Sequence, residues 1–368
     1  MKPSVGGRRR SHGTPQFRFS SFYSRLRFIL ILLAFVAILP PLFFHFRLRR
    51  FHQTQLSRCG WLNNPPIVCA HGGDSTNAFP NTMSAYGFAL RSQVDCVEID
   101  ISRSSDGVLF ALHDRVRCQG KTIASKLSDF LSRDLQRISG NGTSKVGHLR
   151  SNEIKELDVH HQSGNSKIPT IEDALTLIST SVRQVILDAK VGPLLYEKGL
   201  AKDILSTVEK MQCKNCLIWA KSDSLVRDII KLSPDVKINI YSVLQFLNLT
   251  CMLSSGAFAF MVFHLNKGYN VGVVELLLLT SLIDRFVNEL TGAKVTGVYH
   301  QLIDERLVKT LHGREKKVYA WTVDDAVSMT RMLHAHADAI ITSNPSLLQR
   351  TMQDKRTRCL EGGFSLTR

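Results

Sequence analysis

Val97-Glu98-Ile99-Asp100-Ile101 alternates β-branched apolar residues with carboxylates. A period of two is that of a strand, so Glu98 and Asp100 share one face and the apolar residues share the other. Two carboxylates turned together into a protein interior repel each other and lose solvent, which requires a cation nearby. The same five residues thus indicate a strand and a charged site on it.

Outward from this stretch, short apolar runs alternate with helix-length segments. The strand candidates are Ile67–Ala70, Val97–Ile101, Val185–Ala189, Leu217–Ala220, Val236–Tyr241, Val295–Tyr299, Val318–Thr322 and Ala339–Thr342. A further run, Val108–Leu112, follows the turn Ser105-Asp106-Gly107, which favours a hairpin excursion over a helical crossover. This pattern predicts an α/β fold, a (β/α)8 barrel of the TIM type, with a doubly wound open sheet as the alternative. No Gly-rich dinucleotide or phosphate loop follows any strand. One dense apolar block, Val271–Ile283 within residues 257–290, fits either a buried barrel helix or a sequence-specific insertion.

Barrel enzymes carry their chemistry at the C-terminal ends of strands. His71 follows the first run, His113 follows Val108–Leu112, and Asp188 and Lys190 alternate at the end of Val-Ile-Leu-Asp-Ala-Lys. Glu98, Asp100 and Asp188 offer only oxygen donors, which suit Ca2+ or Mg2+ better than zinc. His71 and His113 beside them supply a general acid and a general base near neutral pH.

The net charge of +16 arises mainly from residues 1–58, which hold Lys2 and ten arginines and no acidic residue. The remainder has 36 basic residues against 31 acidic ones. Charge concentrated this way flanks an apolar run, Phe28–Phe46, and argues for a membrane rather than nucleic acid. Nineteen uncharged residues span roughly 28 Å as a helix, about one hydrocarbon core. Seven basic residues precede the run and four follow it closely, so the expected topology is a single-pass anchor with a cytosolic N-terminus and a lumenal or extracellular domain. A cleaved signal peptide is the rival reading. The implied organisation is a basic tail over 1–27, an anchor over 28–46, a linker over 47–65, the barrel over 66–352 and a tail over 353–368.

Eight cysteines suit disulfides in a lumenal domain, but spacing does not give their pairing. Cys213 and Cys216 form a lone C-x-x-C without a second ligand pair, so zinc is not expected there. Cys69 and Cys96 lie in strand runs and read as buried small residues. Two glycosylation sequons begin at Asn141 and Asn248.

The segments Ala70-His-Gly-Gly73, Pro80-Asn-Thr82, Glu98-Ile-Asp100, Leu112-His-Asp114, Asp188-Ala-Lys190, Ala320-Trp-Thr-Val323 and Ile341-Thr-Ser-Asn-Pro345 occur in an order that resembles the glycerophosphodiester phosphodiesterase family. The anchored arrangement is similar to plant members. The resemblance implies a barrel like that of phosphatidylinositol-specific phospholipase C, and metal-dependent hydrolysis of glycerophosphodiesters to sn-glycerol 3-phosphate and an alcohol. It implies that His71 and His113 are the acid/base pair and that Glu98, Asp100 and Asp188 hold the metal. It places Lys190 by the phosphate and Trp321 in the substrate wall. Lysophospholipase D activity on a lysophospholipid, or a catalytically impaired, membrane-tethered binding barrel, are the alternatives. Three positions depart from the family pattern: Gly72 where it has Arg, Pro80 where it has Glu, and Asp188 where it has Glu. Lys190 or Arg103 is the expected substitute for the missing guanidinium.

Overall fold

The structure is a computed structural model that describes residues 19–113, 146–161, 164–190, 199–220, 222–233, 238–240 and 294–366. The apolar block at 271–283, both sequons, Cys118 and Cys251 lie outside the described residues. The chain divides into two compact units, Met1–Leu56 and Ser57–Arg368.

In the first unit begins one continuous helix, Phe19–Cys59, which contains Pro40 and Pro41. Its side chains from Phe28 to Phe46 are exposed apolar groups, and by length and composition it is able to cross a membrane. It is longer than the apolar run, because residues 47–59, within the segment read as a linker, continue the helix.

The second unit is built on one sheet. Its parallel strands are β1 (Ile67–His71), β2 (Cys96–Arg103), β6 (Gln184–Ala189), β7 (Cys216–Ala220), β8 (Ile238–Ile240), β9 (Val295–Tyr299), β10 (Lys317–Trp321) and β11 (Ala339–Thr342). The spatial order is β8-β7-β6-β2-β1-β11-β10-β9, so the first strand pairs with the last and neighbours otherwise follow chain order. That circular order is the α/β barrel, and it replaces the doubly wound alternative. β8 and β9 face each other across the remaining seam with Cα atoms within 8 Å. The Asp106-Gly107 turn, with Gly107 at φ +91°, returns β3 (Leu109–Ala111) antiparallel against β2 as the sequence predicts. A second hairpin, β4 (Asp158–His161) with β5 (Gly164–Lys167), has no counterpart among the sequence-predicted strands.

Alternation sorts each barrel strand into two apolar groups. Cys69, Cys96, Ile186, Leu217, Trp219, Val295, Tyr319, Ala339 and Ile341 form a group made of strand residues alone, the barrel interior. Their neighbours Val68, Val97, Ile99, Val185, Leu187, Ile218, Val318 and Ile340 belong to a larger group with helix residues such as Tyr86, Leu175, Ile204, Leu311 and Met329. Strands buried on both faces in this way read as near-continuous apolar runs, which is why they were visible in the sequence.

The helices begin where side-chain caps replace missing backbone partners. Thr82 Oγ1 accepts from Ala85 N at 3.3 Å, Thr170 and Asp173 form a reciprocal capping box, and Asn344 caps the helix Pro345–Glu361 with Pro345 in its first turn. That last helix runs through the boundary drawn at Met352, and Cys359 on it is disulfide-bonded to Cys59. Cys213–Cys216 is also a disulfide. Cys69 and Cys96 are buried, but they are bonded to each other rather than being separate small residues.

Candidate active site

Strand pairing brings the charged residues together. His71 at the end of β1 stands opposite Glu98, and Asp100 stands opposite Asp188 across β2 and β6. Ligand atoms of Glu98, Asp100 and Asp188 lie within 4.8 Å of one another, and all three residues are buried. Lys190, also buried, places Nζ 2.5 Å from Asp100 Oδ1 and pairs with Asp188 as well.

The crowding has electrostatic consequences. Burial, and then the Asp100 charge, push the Glu98 carboxyl well above the usual carboxylate range. Burial would push Asp100 the same way, but Lys190, His113 and His71 together hold it far below that range. The imidazole of His71 is lowered chiefly by burial, with Asp100 opposing and Lys190 assisting. Three converging carboxylates, one of them disfavoured as an anion by its neighbours, are an all-oxygen donor set that fits a divalent metal.

A hydrogen-bonded frame behind the carboxylates fixes their directions. Gly72 N donates to Glu98 Oε2 at 3.0 Å. Asn81 Nδ2 donates to Asp100 Oδ2 at 2.7 Å, while Asn81 Oδ1 accepts from Asp100 N at 3.1 Å and from the Tyr86 hydroxyl at 3.2 Å. Asn81 N donates to Gly72 O at 2.8 Å, which joins the two halves of the frame. Asn81 adopts φ +60°, a left-handed conformation that Asn tolerates better than most residues. Tyr86, Asn81 and the Gly72 amide had no assigned roles from the sequence. The usable signal was Asn81 directly before the helix-capping Thr82, a loop position beside a strand end.

Of the other sequence-predicted residues, His113 is carried to the site by β3. Leu112 N donates to Asp100 O at 3.1 Å, and the Ser102 hydroxyl donates to Leu112 O at 2.7 Å. His113 follows immediately, and its charge acts on Asp100. Trp321 ends β10, packs against the barrel interior and lies 5.6 Å, centroid to centroid, from Tyr299. In the loop after it, Asp324 acts electrostatically on His71 and accepts from Ser343 N at 2.7 Å. Arg103, read as one substitute for the missing guanidinium, donates Nε–H to Asp203 Oδ2 at 2.6 Å.

Two of the departures from the family pattern are one structural feature. Gly72 has φ +62°, and a Cβ built there would lie 2.9 Å from Pro80 Cβ. A side chain at 72 therefore requires Pro80 to move.

Residues 71–347 match the family described as the glycerophosphoryl diester phosphodiesterase family. The chain is 51% identical over 372 residues, 99% of it and 96% of the relative, to glycerophosphodiester phosphodiesterase GDPD4 of Arabidopsis thaliana. It is 25% identical over 287 residues, 77% of it and 96% of the relative, to a glycerophosphodiester phosphodiesterase of Caldanaerobacter subterraneus subsp. tengcongensis. The fold is similar to that of an Oleispira antarctica phosphodiesterase in complex with the product sn-glycerol-3-phosphate (TM-score 0.55, 17% identity, 78% of this chain and 97% of that one). It is similar too to a glycerophosphodiester phosphodiesterase from Thermotoga maritima (TM-score 0.51, 19% identity, 77% and 97%).

Proposed function

Because the chain belongs to the glycerophosphoryl diester phosphodiesterase family, and is an enzyme that hydrolyses glycerophosphodiesters to sn-glycerol 3-phosphate and an alcohol, we propose the roles of its residues as follows. Glu98, Asp100 and Asp188 hold Ca2+ or Mg2+. When bound, such an ion supplies Lewis-acid polarisation of a phosphoryl oxygen. Of His71 and His113, one takes the proton from the attacking hydroxyl and the other gives a proton to the leaving alcohol oxygen. Burial lowers the His71 imidazole below its usual range, the direction that favours a general base. Lys190 meets the negative charge of the phosphodiester, and Trp321 walls the substrate.

The observation that carries this reading is the convergence of three buried carboxylates on a strand pair whose next member is His71. We extend it to the likeness with phosphatidylinositol-specific phospholipase C: a glycerol hydroxyl of the substrate attacks first, and water opens the resulting cyclic phosphate. Purified full-length protein would be assayed on glycerophosphocholine with Ca2+, with Mg2+ and with a chelator. Metal-dependent release of glycerol 3-phosphate, with a cyclic product in rapid-quench samples, supports the whole reading. Single-step hydrolysis with inversion at phosphorus removes the cyclic step, and metal-independent turnover removes the metal roles. Lysophosphatidylcholine as a second substrate separates the lysophospholipase D activity.

For location we propose a single-pass membrane protein with its N-terminus in the cytosol. Among the described residues the barrel unit contains three disulfides, and disulfides persist in oxidising compartments. A lumenal or extracellular barrel follows. Protection of the barrel from added protease in sealed microsomes supports this, and its digestion overturns it.

A further inference from the structure

The Cys69–Cys96 disulfide lies in the layer of the barrel next to the carboxylate site. Cys69 and Cys96 are paired across β1 and β2, and two residues further along the same strands His71 is paired with Glu98. A spacing of two keeps the side chains on one face, so the bridge and the His71–Glu98 pair occupy successive positions on the interior wall. Both cysteines are fully buried within the interior apolar group, and their Cα atoms are 4.4 Å apart.

From this placement we propose that Cys69 and Cys96 are positioning residues: their covalent link sets the separation of His71 from Glu98, and through it the geometry of the metal-binding carboxylates. The inference rests on the site roles proposed above. The physical need is local. Glu98 and Asp100 crowd like charges on β2, and β1 ends at His71, where Gly72 turns away with φ +62°. Backbone pairing between β1 and β2 begins at the cysteines and finishes at the His71–Glu98 pair. Without the bridge, splaying of the two strands is opposed by that short ladder and by the hydrogen bonds at its ends, Val68 N to Asp95 Oδ2 and Gly72 N to Glu98.

The other two disulfides among the described residues have different geometry and serve as internal contrasts. Cys59–Cys359 links positions 300 residues apart, in a separate apolar cluster with Phe364. Cys213–Cys216 joins residues three apart in sequence, and Cys216 is the first residue of β7, paired with Val185. Neither bonded pair is beside a carboxylate of the site in the strand registers.

The test uses the full-length protein with the double substitution C69A/C96A, and with C69V/C96A, which restores apolar volume without the link. C59A/C359A is the control. Melting temperature, calorimetric binding of Ca2+ and Mg2+ alone, and kcat and KM would be measured. Groups that orient metal ligands typically matter by about 10- to 100-fold in affinity or activity. Both core variants should therefore bind metal about 10-fold or more weakly and lose a similar factor in kcat, with a smaller change in KM. The control should melt earlier and keep its metal affinity and kcat. Folded core variants with unchanged metal affinity and kcat overturn the proposal, as does mass spectrometry showing both thiols free in active protein. If neither core variant folds, wild-type protein partially reduced with a phosphine, and sorted by mass for the open 69–96 pair, gives the same affinity comparison. Weakened metal binding in the variants beside a wild type that binds metal but never turns over would sink the catalytic reading and leave this one standing.

Discussion

β2 and β10 are both barrel strands with apolar outer faces, and they differ almost entirely inside. The inner face of β2 carries Cys96, Glu98 and Asp100, whereas that of β10 carries Tyr319 and Trp321. The charged wall is heavily constrained, by the Asn81 and Gly72 hydrogen bonds, by Lys190 and by a disulfide. The aromatic wall relies on packing, with Trp219 and Tyr319 edge to face and the Tyr319 hydroxyl donating to Gln184 at 2.7 Å. The outer faces make the barrel, and under the roles proposed above the inner faces divide the labour between binding charge and shaping a pocket. Substitutions should therefore cost more on the charged wall than on the aromatic one.

The largest effect should come from His71→Ala or His113→Ala. Loss of a general acid or base lowers kcat by about 10²- to 10⁴-fold. Steady-state kinetics at saturating metal should show that drop with the melting temperature nearly unchanged, and the double variant should fall well short of the product of the two. A drop in KM alone would separate His71 from the proton transfers.

Asp100→Ala comes next, because it leaves Lys190 with one carboxylate fewer in a buried site. Breaking a buried ion pair by removing one partner costs about 3–5 kcal/mol. Denaturant unfolding of the metal-free protein should show a loss of that order. The variant should also lose the stabilisation that metal confers on the wild type, about 2.7 kcal/mol at 100 times the dissociation constant. Survival of that metal-induced shift would remove Asp100 from the ligand set.

Gly72→Arg tests how tightly the frame behind the charged wall is packed. The substitution forces a side chain at φ +62° against Pro80, a combination of backbone strain and overpacking worth about 1–3 kcal/mol. The single variant should be less stable and no more active, whereas Gly72→Arg with Pro80→Gly, which removes the contacting Cβ, should recover part of the stability. If the single variant gains activity, the Gly72–Pro80 contact is not the constraint.

The two walls were not equally legible in the sequence. Glu98 and Asp100 announced themselves because carboxylates in a strand violate the apolar pattern around them. His71 and His113 stood out as polar residues that follow apolar runs, and Asp188 and Lys190 by the same alternation. Asn81 was not given a role, since an Asn in a loop before a helix cap is ordinary, and its value lies in three contacts made across 5 to 19 residues of sequence. The Cys69–Cys96 link was hidden for a similar reason: both residues fit an apolar strand, and only the register of two strands shows that they meet. The circular strand order was likewise invisible to local pattern, because Val68 pairs with Ile340 across nearly the whole domain.

The smallest effect is expected on the aromatic wall. Trp321→Ala removes a partly exposed ring that packs on the barrel interior and lies 5.6 Å from Tyr299. The hydrogen bonds that fix Glu98 and Asp100 run through Gly72 and Asn81. Aromatic pairs contribute about 0.5–1.5 kcal/mol beyond their buried area, so the loss should be confined to roughly a 10-fold rise in KM, with kcat and metal affinity close to wild type. A kcat collapse comparable to that of His71→Ala would mean that the aromatic wall positions the reacting groups, and the division between the two faces would fail. A rise in KM that differs between glycerophosphocholine and glycerophosphoethanolamine would sharpen it instead, by placing selection of the alcohol on β10 and bond cleavage on β2.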